Sequence, residues 1–453
     1  MSETVVPRET VSAPERPAHR DTNVLRWLAA FTLSMVGDSV YYMALAWAAA
    51  RSGSPTQTGL VLAVGAVPRA LLMLGGGVLA DRWGPRRVVI GSDAARCVVI
   101  LAVAAVLALT APGLPLLIAV ALVFGVVDAL FLPAVGALPP RITAPGQLAR
   151  VQGLRGLAAR VANVTGAPLG GLLVAFGGSA AAFAVAGALF AVSLVLLVSV
   201  RIAPLPGGDT ASASASASAS ASASASASAS ASASASESAS VEGGARTGVR
   251  HELTDGLRHI RRHRVLGPLM LVIALSELGF VGPLNIGLVL LAQDRGWGAG
   301  GMGWIVAAFG AGAGAASLLL AVRGHLPRAG LVLCLSVVAG ALAIGALAFV
   351  PTVALAAVTG LFVGLLAGLG GGLCGALTQT VTEPAYLGRV TSVATLFTLG
   401  VAPLSYPVTG AAVGLWGTGP VFTVSAAVCA AGGALGLAFA GLRRAELPGG
   451  RTG

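Results

Sequence analysis

"GGGVLADRWGPRR", Gly75 to Arg87, places one acid and three arginines in a chain that is otherwise short of charge. A helix needs about 20 apolar residues to cross the hydrocarbon core of a bilayer. Both flanks qualify: Thr58–Ala80 enters the stretch and Val88–Thr110 follows it. The charges therefore mark a reversal between two membrane spans.

Composition says the same of the whole chain. Of 453 residues 56% are hydrophobic and 10% charged, where a soluble domain carries about 25% charged. So little polar surface cannot cover a core in water, and lipid has to be the solvent. The net charge of +11 comes entirely from arginine, since the chain has no lysine. These arginines fall mostly in the gaps between apolar runs, which points to membrane topology and not to nucleic acid. Cys97, Cys334, Cys374 and Cys429 each lie inside an apolar run with no paired spacing, so they read as small packing residues and not as disulfide or metal ligands. The polar N-terminus lacks a short apolar segment with a cleavage site, so the first span reads as retained.

Twelve apolar runs are long enough to span: Leu25–Ala50, Thr58–Ala80, Val88–Thr110, Leu116–Leu138, Leu154–Phe176, Ala180–Val200, Val265–Ala292, Gly301–Val322, Ala329–Val350, Val353–Gln379, Val390–Trp416 and Val421–Leu442. Arginines crowd both termini and every even-to-odd connection. The odd-to-even connections hold only Arg51 and Arg295. The positive-inside rule then places both termini in the cytoplasm of a multi-pass cell-membrane protein.

Between spans six and seven lies an Ala-Ser alternation from Ala211 to Ser236, without a large apolar residue and able to form no core. After it comes "RHELTDGLRHIRRHR", in which Leu253, Leu257 and Ile260 recur at helical spacing among basic residues, as in a helix lying on an anionic leaflet. Its histidines (His251, His259, His263) read as interfacial residues. The expected organisation is a disordered cytoplasmic tail (1–23), a six-helix bundle (24–200), a flexible cytoplasmic linker (201–250), a second bundle led by the amphipathic helix (251–442) and a cytoplasmic tail (443–453).

The bundles are copies. At an offset of 239, Leu148, Arg150, Val151 and Leu157 fall on Leu387, Arg389, Val390 and Leu396. Pro168, Gly171, Gly178, Phe183 and Val185 fall on Pro407, Gly410, Gly417, Phe422 and Val424. An even number of spans separates the copies, so they share one orientation. Parallel six-helix repeats are a known transporter layout, with substrate bound at the midplane between halves.

The opening string resembles the signature of the major facilitator superfamily, carried here by Gly77, Asp81, Arg82, Gly84, Arg86 and Arg87, with Pro85 where the family usually has a basic residue. The resemblance implies an all-α fold of twelve transmembrane helices in two parallel six-helix bundles, and a cytoplasmic gating latch that Asp93 and Arg96 are near enough to join. "GAPLGG" in span five, with Gly166, Pro168, Gly170 and Gly171, resembles the Gly-Pro and Gly-Gly motif of the superfamily's antiporters, with the proline displaced by one position. A packing seam explains the same residues. The order of motifs looks most like the enterobactin-exporter and macrolide-efflux branch, which implies a drug:proton antiporter.

Ionisable residues at mid-membrane are costly, about 2.5–3.5 kcal/mol on insertion scales, and mark function by default. Asp38, Asp128, Glu277 and Arg69 all fall near the middle of their spans. By resemblance, spans one, four, seven and ten line the central cavity. A carboxylate paired with a cation stays ionised, whereas one without a cation in a low-dielectric site can load and release a proton. Asp38 and Arg69 are expected to pair, leaving Asp128 and Glu277 as the better proton carriers, with Asp38 third. Tyr41, Tyr42, Trp47, Phe131, Phe280 and Asn285 are candidates to line an apolar, aromatic cavity for an amphipathic or lipophilic compound.

Without lysine no phosphate-cradling Gly loop with its Lys can form, and no nucleophile–base set appears. An enzyme is not expected, and neither a cofactor nor a metal is called for. The expected partners are a small-molecule substrate, protons and the lipid bilayer, with the chain a monomer. The alternatives are an importer of a small nutrient on the same fold, or a non-transporting membrane sensor or scaffold. The topology is checked by cysteine labelling after the four native cysteines are replaced. Cysteines at Gly113, Gly178 and Gly417 should react from outside intact cells, and those at Gly84 and Ser222 should not. Outside labelling at Ser222 would overturn the twelve-span reading.

Overall fold

The computed structural model of the chain describes residues 21–110, 113–143, 147–200, 258, 260–323, 327–383 and 386–446. The N-terminal tail, the Ala-Ser linker and most of the amphipathic stretch lie outside these residues. All long elements among them are helices. They are α1 (Thr22–Ser52), α2 (Pro55–Trp83), α3 (Pro85–Leu109) and α4 (Leu114–Gly136). One helical run, Leu148–Ser199, is broken at Gly178 into arms α5 (148–177) and α6 (179–199). Then come α7 (Leu266–Asp294), α8 (Gly298–Arg323), α9 (Ala329–Leu347), α10 (Val353–Val381), α11 (Leu387–Trp416) and α12 (Thr418–Ala438). Nine of the described helical runs meet a criterion of length and apolarity for crossing a membrane, and the run from Arg150 to Ser199 counts once among them although it has two arms.

The helix ends follow local chemistry. Asp21 caps α1 by accepting from the Asn23 amide at 2.8 Å. Ser54 and Gln57 form a reciprocal capping box on α2. The opening motif is almost wholly helical: α2 runs to Trp83, Gly84 alone makes the turn with φ 81°, and Pro85 starts α3. Only glycine takes that φ without strain, and proline suits the first helical position. This accounts for Pro85 where the superfamily has a basic residue. The surroundings of Gly77 and the side chains of Asp81 and Arg82 are outside the described set. Arg86 Nη2 donates to the Val198 carbonyl at 2.9 Å, tying the start of α3 to the end of α6, and Arg87 is exposed.

The break at Gly178 reverses the chain. Positions 166 and 170 of α5 lie against Ser39 and Met43 of α1, in parallel order, whereas positions 190 and 193 of α6 lie against Gly37 and Ala30, in antiparallel order. Gly178 (φ 72°, ψ −179°) has its repeat partner in Gly417 (φ 81°, ψ 172°), the turn between α11 and α12. Both stand in a region that favours glycine.

In lipid, helices gain nothing from hiding apolar surface from each other, so close approach of small residues does the holding. The contact between bundles is built this way, at the helix ends that carry the odd-to-even connections. A Cβ on Gly171 of α5 would lie 2.7 Å from the Ala299 carbonyl and 2.8 Å from Gly303 Cα of α8. Its repeat partner Gly410 of α11 faces Pro55 and Gly59 of α2, with Gly59 Cα at 3.2 Å. The other residues of "GAPLGG" face α1: Gly166 abuts Ser39 and Gly170 abuts Met43.

Position 414 lies 3.4 Å, Cβ to Oγ1, from Thr56 across the α2–α11 seam. Cysteines at Thr56 and Gly414 should therefore crosslink on mild oxidation. Adding Gly410→Leu, whose side chain cannot fit against the α2 backbone, should abolish that crosslink while the protein stays folded. An unchanged yield with Gly410→Leu would show that this seam is not a feature of the native protein.

Candidate functional site

The charged residues of the N-terminal bundle converge on one guanidinium. Arg96 lies eleven residues into α3, about 16 Å along its axis, and is 1% exposed. Its Nη2 donates to Asp128 Oδ1 of α4. Its Nη1 donates to Ser34 Oγ of α1 at 3.1 Å, and lies 3.5 Å from Asp93 Oδ1 and 3.7 Å from Asp38 Oδ1. The Phe131 ring lies under the guanidinium, 4.0 Å from its carbon to the ring centroid, with Phe190 and Phe124 at 5.6 and 5.9 Å. Aromatic faces attract a cation in a dry site.

The carboxylates differ in how completely they are satisfied. Asp93, 0% exposed, accepts from Ser193 Oγ of α6 at 2.6 Å and from Ser34 Oγ at 3.2 Å. Asp128 accepts from Tyr42 Oη at 2.8 Å as well as from Arg96. Tyr42 Oη in turn accepts from Arg69 Nη1 of α2 at 3.1 Å. Asp38 Oδ1, though near Arg96, accepts no hydrogen bond.

Asp38 lies in ion-pair range of Arg96; Arg69, expected as its partner, donates to Tyr42 and also acts on Asp38 electrostatically. Asp128 is held by both Arg96 and Tyr42, so it does not fit the part of a carboxylate without a cation. Asp93 and Arg96 stand inside the bundle, because eight to eleven residues of helix carry them away from the turn at Gly84. Tyr41 stacks on Phe124 with ring centroids 3.7 Å apart and is buried, as are Trp47 and Phe131. All three belong to the buried apolar core. Ser34 and Ser193 were not legible in advance, since their partners lie 59 and 100 residues away.

The C-terminal bundle is different. Glu277 of α7 is part-buried and, among the described residues, has neither a hydrogen bond nor an ion pair. Tyr406 of α11 lies within electrostatic range of both Glu277 and Arg69. Phe280, one turn along α7, has its ring centroid 6.1 Å from that of Phe309 on α8. Asn285 sits in a π-turn, Pro283–Gly287, and donates through Nδ2 to the Val281 carbonyl at 2.8 Å. His263, read as interfacial, accepts through Nδ1 from the Val265 and Leu266 amides at 3.3 Å and so caps α7. Ile260 is buried beside Leu266, Met270, Val390 and Val393, so the end of the amphipathic stretch docks on α7 and α11.

Removing one member of a buried ionic set leaves the rest uncompensated, at a cost of about 3–5 kcal/mol. Arg96→Met should therefore lower the Tm of the detergent-purified protein, while Glu277→Gln, at a carboxylate with no partner to lose, should leave it unchanged. An Arg96→Met protein as stable as the parent would show that the cluster does not hold the bundle together.

Comparison with known proteins places the fold. The solved nucleoside transporter NupG is similar in structure, with a TM-score of 0.64 over 94% of this chain and 100% of that one at 13% identity. A bacterial homologue of the human lysosomal transporter Spinster, solved inward-facing and unoccupied, gives 0.58 over 93% and 95% at 14% identity. At these identities the likeness is one of fold. No curated protein matches the sequence. The sequence profile of the Major Facilitator Superfamily matches residues 27–285, more than half of the chain, and the chain belongs to that superfamily of membrane transporters.

Proposed function

We propose that the chain is a secondary exporter that exchanges protons for a small amphipathic or lipophilic compound by rocking its two bundles. The observation that carries this reading is the contrast between the acids. Asp38, Asp93 and Asp128 surround Arg96, whereas Glu277 has no counter-ion among the described residues. A carboxylate with no cation at mid-membrane is the group able to take up and release a proton. Glu277 is the first candidate for coupling, Asp38 the second, and Asp128 belongs to the fixed network.

The seams fit alternating access. The described contacts Gly171–Gly303 and Gly59–Gly410 join the bundles at the ends assigned to the outside by arginine placement. A molecule closed there is open toward the cytoplasm, a state that exporter and importer both pass through. Arginine-rich even-to-odd turns on the cytoplasmic side, Gly84 among them, complete the orientation.

The test is transport into inverted membrane vesicles of a panel of lipophilic dyes, with and without an imposed pH gradient. The wild-type protein should accumulate at least one dye only when the gradient is present. Glu277→Gln should lose gradient-driven accumulation yet retain counterflow, because the amide mimics the protonated carboxyl and alternating access continues. Gradient-driven accumulation that survives Glu277→Gln would remove Glu277 from the mechanism. Accumulation by intact cells in place of inverted vesicles would make the protein an importer.

A further inference from the structure

We infer that the end of the C-terminal bundle assigned to the cytoplasm is a binding site for an anionic phospholipid. Arg264, Arg328, Arg443 and Arg444 hold its phosphate, and its acyl chains lie along α9 and α12. The inference does not depend on the substrate or on the coupling ion.

Separate segments of the chain meet at this end. After α12 the backbone is extended at Phe439 (φ −86°, ψ 106°), and a last helical turn follows at Ala440–Arg443. Leu442 is fully buried and plugs this turn into the first turns of α7 and α9, among Leu269, Ala329 and Leu333. Backbone contacts fix its depth. The Gly330 amide of α9 donates to the Ala445 carbonyl at 3.1 Å. A Cβ on Gly441 would lie 3.0 Å from the Arg264 carbonyl oxygen and 3.6 Å from the Arg264 Cβ. Arg264 stands just before α7, Arg328 just before α9, and Arg443 and Arg444 at the end of the docked turn. All of these arginines are therefore gathered at the junction of α7, α9 and α12.

Their side chains have nothing of their own to hold. Each is exposed, with Arg261 and Arg262 exposed beside Arg264, and among the described residues none of them has a hydrogen bond or ion pair through its guanidinium. The acid in the described parts of these segments is Glu446, itself exposed. The N-terminal bundle uses its arginine differently. The offset of 239 carries residues 179–199 of α6 onto α12, Thr418–Ala438. In the first bundle the start of α3 is tied to the end of α6 by Arg86, which donates to the Val198 carbonyl. In the second, the backbone bond from Gly330 makes the tie and Arg328 is left outside it. Arg328 also stands at φ 55°, ψ 43°, the one non-glycine residue with positive φ among the described residues. That conformation is strained for a residue with a long side chain. Neither the closure of the junction nor its backbone geometry calls for arginine here.

Guanidinium groups without partners match phosphate, which each can grip through two parallel N–H donors. Basic clusters at the cytoplasmic surface attract the anionic lipids of the inner leaflet and take their headgroups. The adjoining surface is apolar. A Cβ on Gly436 of α12 would lie 2.7 Å from Cys334 Sγ of α9, which sets Leu435 and Leu335 at one level of the two helices. Both are exposed, at 43% and 51%, and so is Phe439, one turn nearer the arginines. In a chain solvated by lipid, such side chains meet acyl chains. Guanidinium at the surface with hydrocarbon beside it suits both parts of one phospholipid, whereas a free anion would use only the first.

The experiment is native mass spectrometry of the full-length protein purified in detergent, titrated with phosphatidylglycerol, phosphatidylcholine or free glycerol phosphate. The wild-type protein should bind phosphatidylglycerol in preference to phosphatidylcholine, and less tightly as salt rises. Arg328→Gln, Arg443→Gln and Arg444→Gln together should weaken binding of the first phosphatidylglycerol on the order of a hundredfold at low salt. Arg328→Lys, Arg443→Lys and Arg444→Lys together keep the charge and should bind it more tightly than the glutamine variant. Arg26→Gln, Arg141→Gln and Arg150→Gln together, at the cytoplasmic ends of the other bundle, should leave that first lipid in place. An equal loss in the two glutamine variants would reduce the effect to a general attraction of a basic protein for anionic lipid and overturn the site. Wild-type affinity in the first variant, or lysine no better than glutamine, would overturn it as well. Displacement of phosphatidylglycerol by an equal concentration of glycerol phosphate would make this a site for a soluble anion and sink the lipid assignment. No transport is measured, so the outcome is separate from that of the exporter reading.

Discussion

A single buried guanidinium organises the N-terminal bundle. Arg96 from α3 is shared by Asp38 and Ser34 from α1, Asp93 from its own helix and Asp128 from α4. Asp93 passes the connection to α6 through Ser193, and Asp128 passes it to α2 through Tyr42 and Arg69. Only arginine does this well: its donors lie in a rigid planar fork, it keeps its charge when buried, and its face stacks on Phe131. A lysine in the same place would offer a compact point charge that sheds its proton more readily. The set is also unbalanced, with three carboxylates against Arg96 and the more distant Arg69. Asp38 carries the looser end of that imbalance, its nearest guanidinium nitrogen 3.7 Å away.

Among the described residues nothing of the kind holds the second bundle. There the helices meet through small residues: Gly279 against Ser425 and Cys429, Gly432 against Leu275, Gly436 against Val272 and Cys334. This is dispersion packing, individually weak and collectively sufficient where lipid gives no hydrophobic incentive to associate. The two halves of a duplicated fold have thus reached cohesion by different means. Between the bundles, glycine seams bring backbones close at Gly171–Gly303 and Gly59–Gly410, beside apolar packing of Ala50 and Leu62 against Ile286, Leu290, Val413 and Val421. Neither contact uses an ion pair among the described residues, so separating the bundles there strands no buried charge.

The architecture was largely legible before any coordinates. Apolar runs of the right length, arginine in alternate gaps and the 239-residue repeat carry it, because each is a local property or a fixed offset along the chain. The site was less legible. Its contacts join residues far apart in sequence, such as Ser34 with Arg96 and Ser193 with Asp93, and no spacing rule connects four different helices. Arg69 was expected to partner Asp38 because α1 and α2 are consecutive spans; the nearer guanidinium, Arg96 on α3, had no spacing rule to point to it. Asp93 and Arg96 were expected near enough to the turn to join its latch; their described contacts run to α1, α4 and α6. The glycines of "GAPLGG" were readable as a seam, though only the structure divides them, with Gly166 and Gly170 against α1 and Gly171 against the opposite bundle.

Duplication makes the remaining asymmetry informative. An ionised carboxylate at the middle of a bilayer is unfavourable wherever it occurs, and the N-terminal copy meets that cost with a resident arginine. The acid of α7 has no resident cation among the described residues, so under the proposed antiport its charge is met by a proton that comes and goes. In that reading, rocking at the glycine seams changes the distance between the net negative cluster on one body and this carboxylate on the other, and protonation of Glu277 is electrostatically linked to the relative position of the bundles.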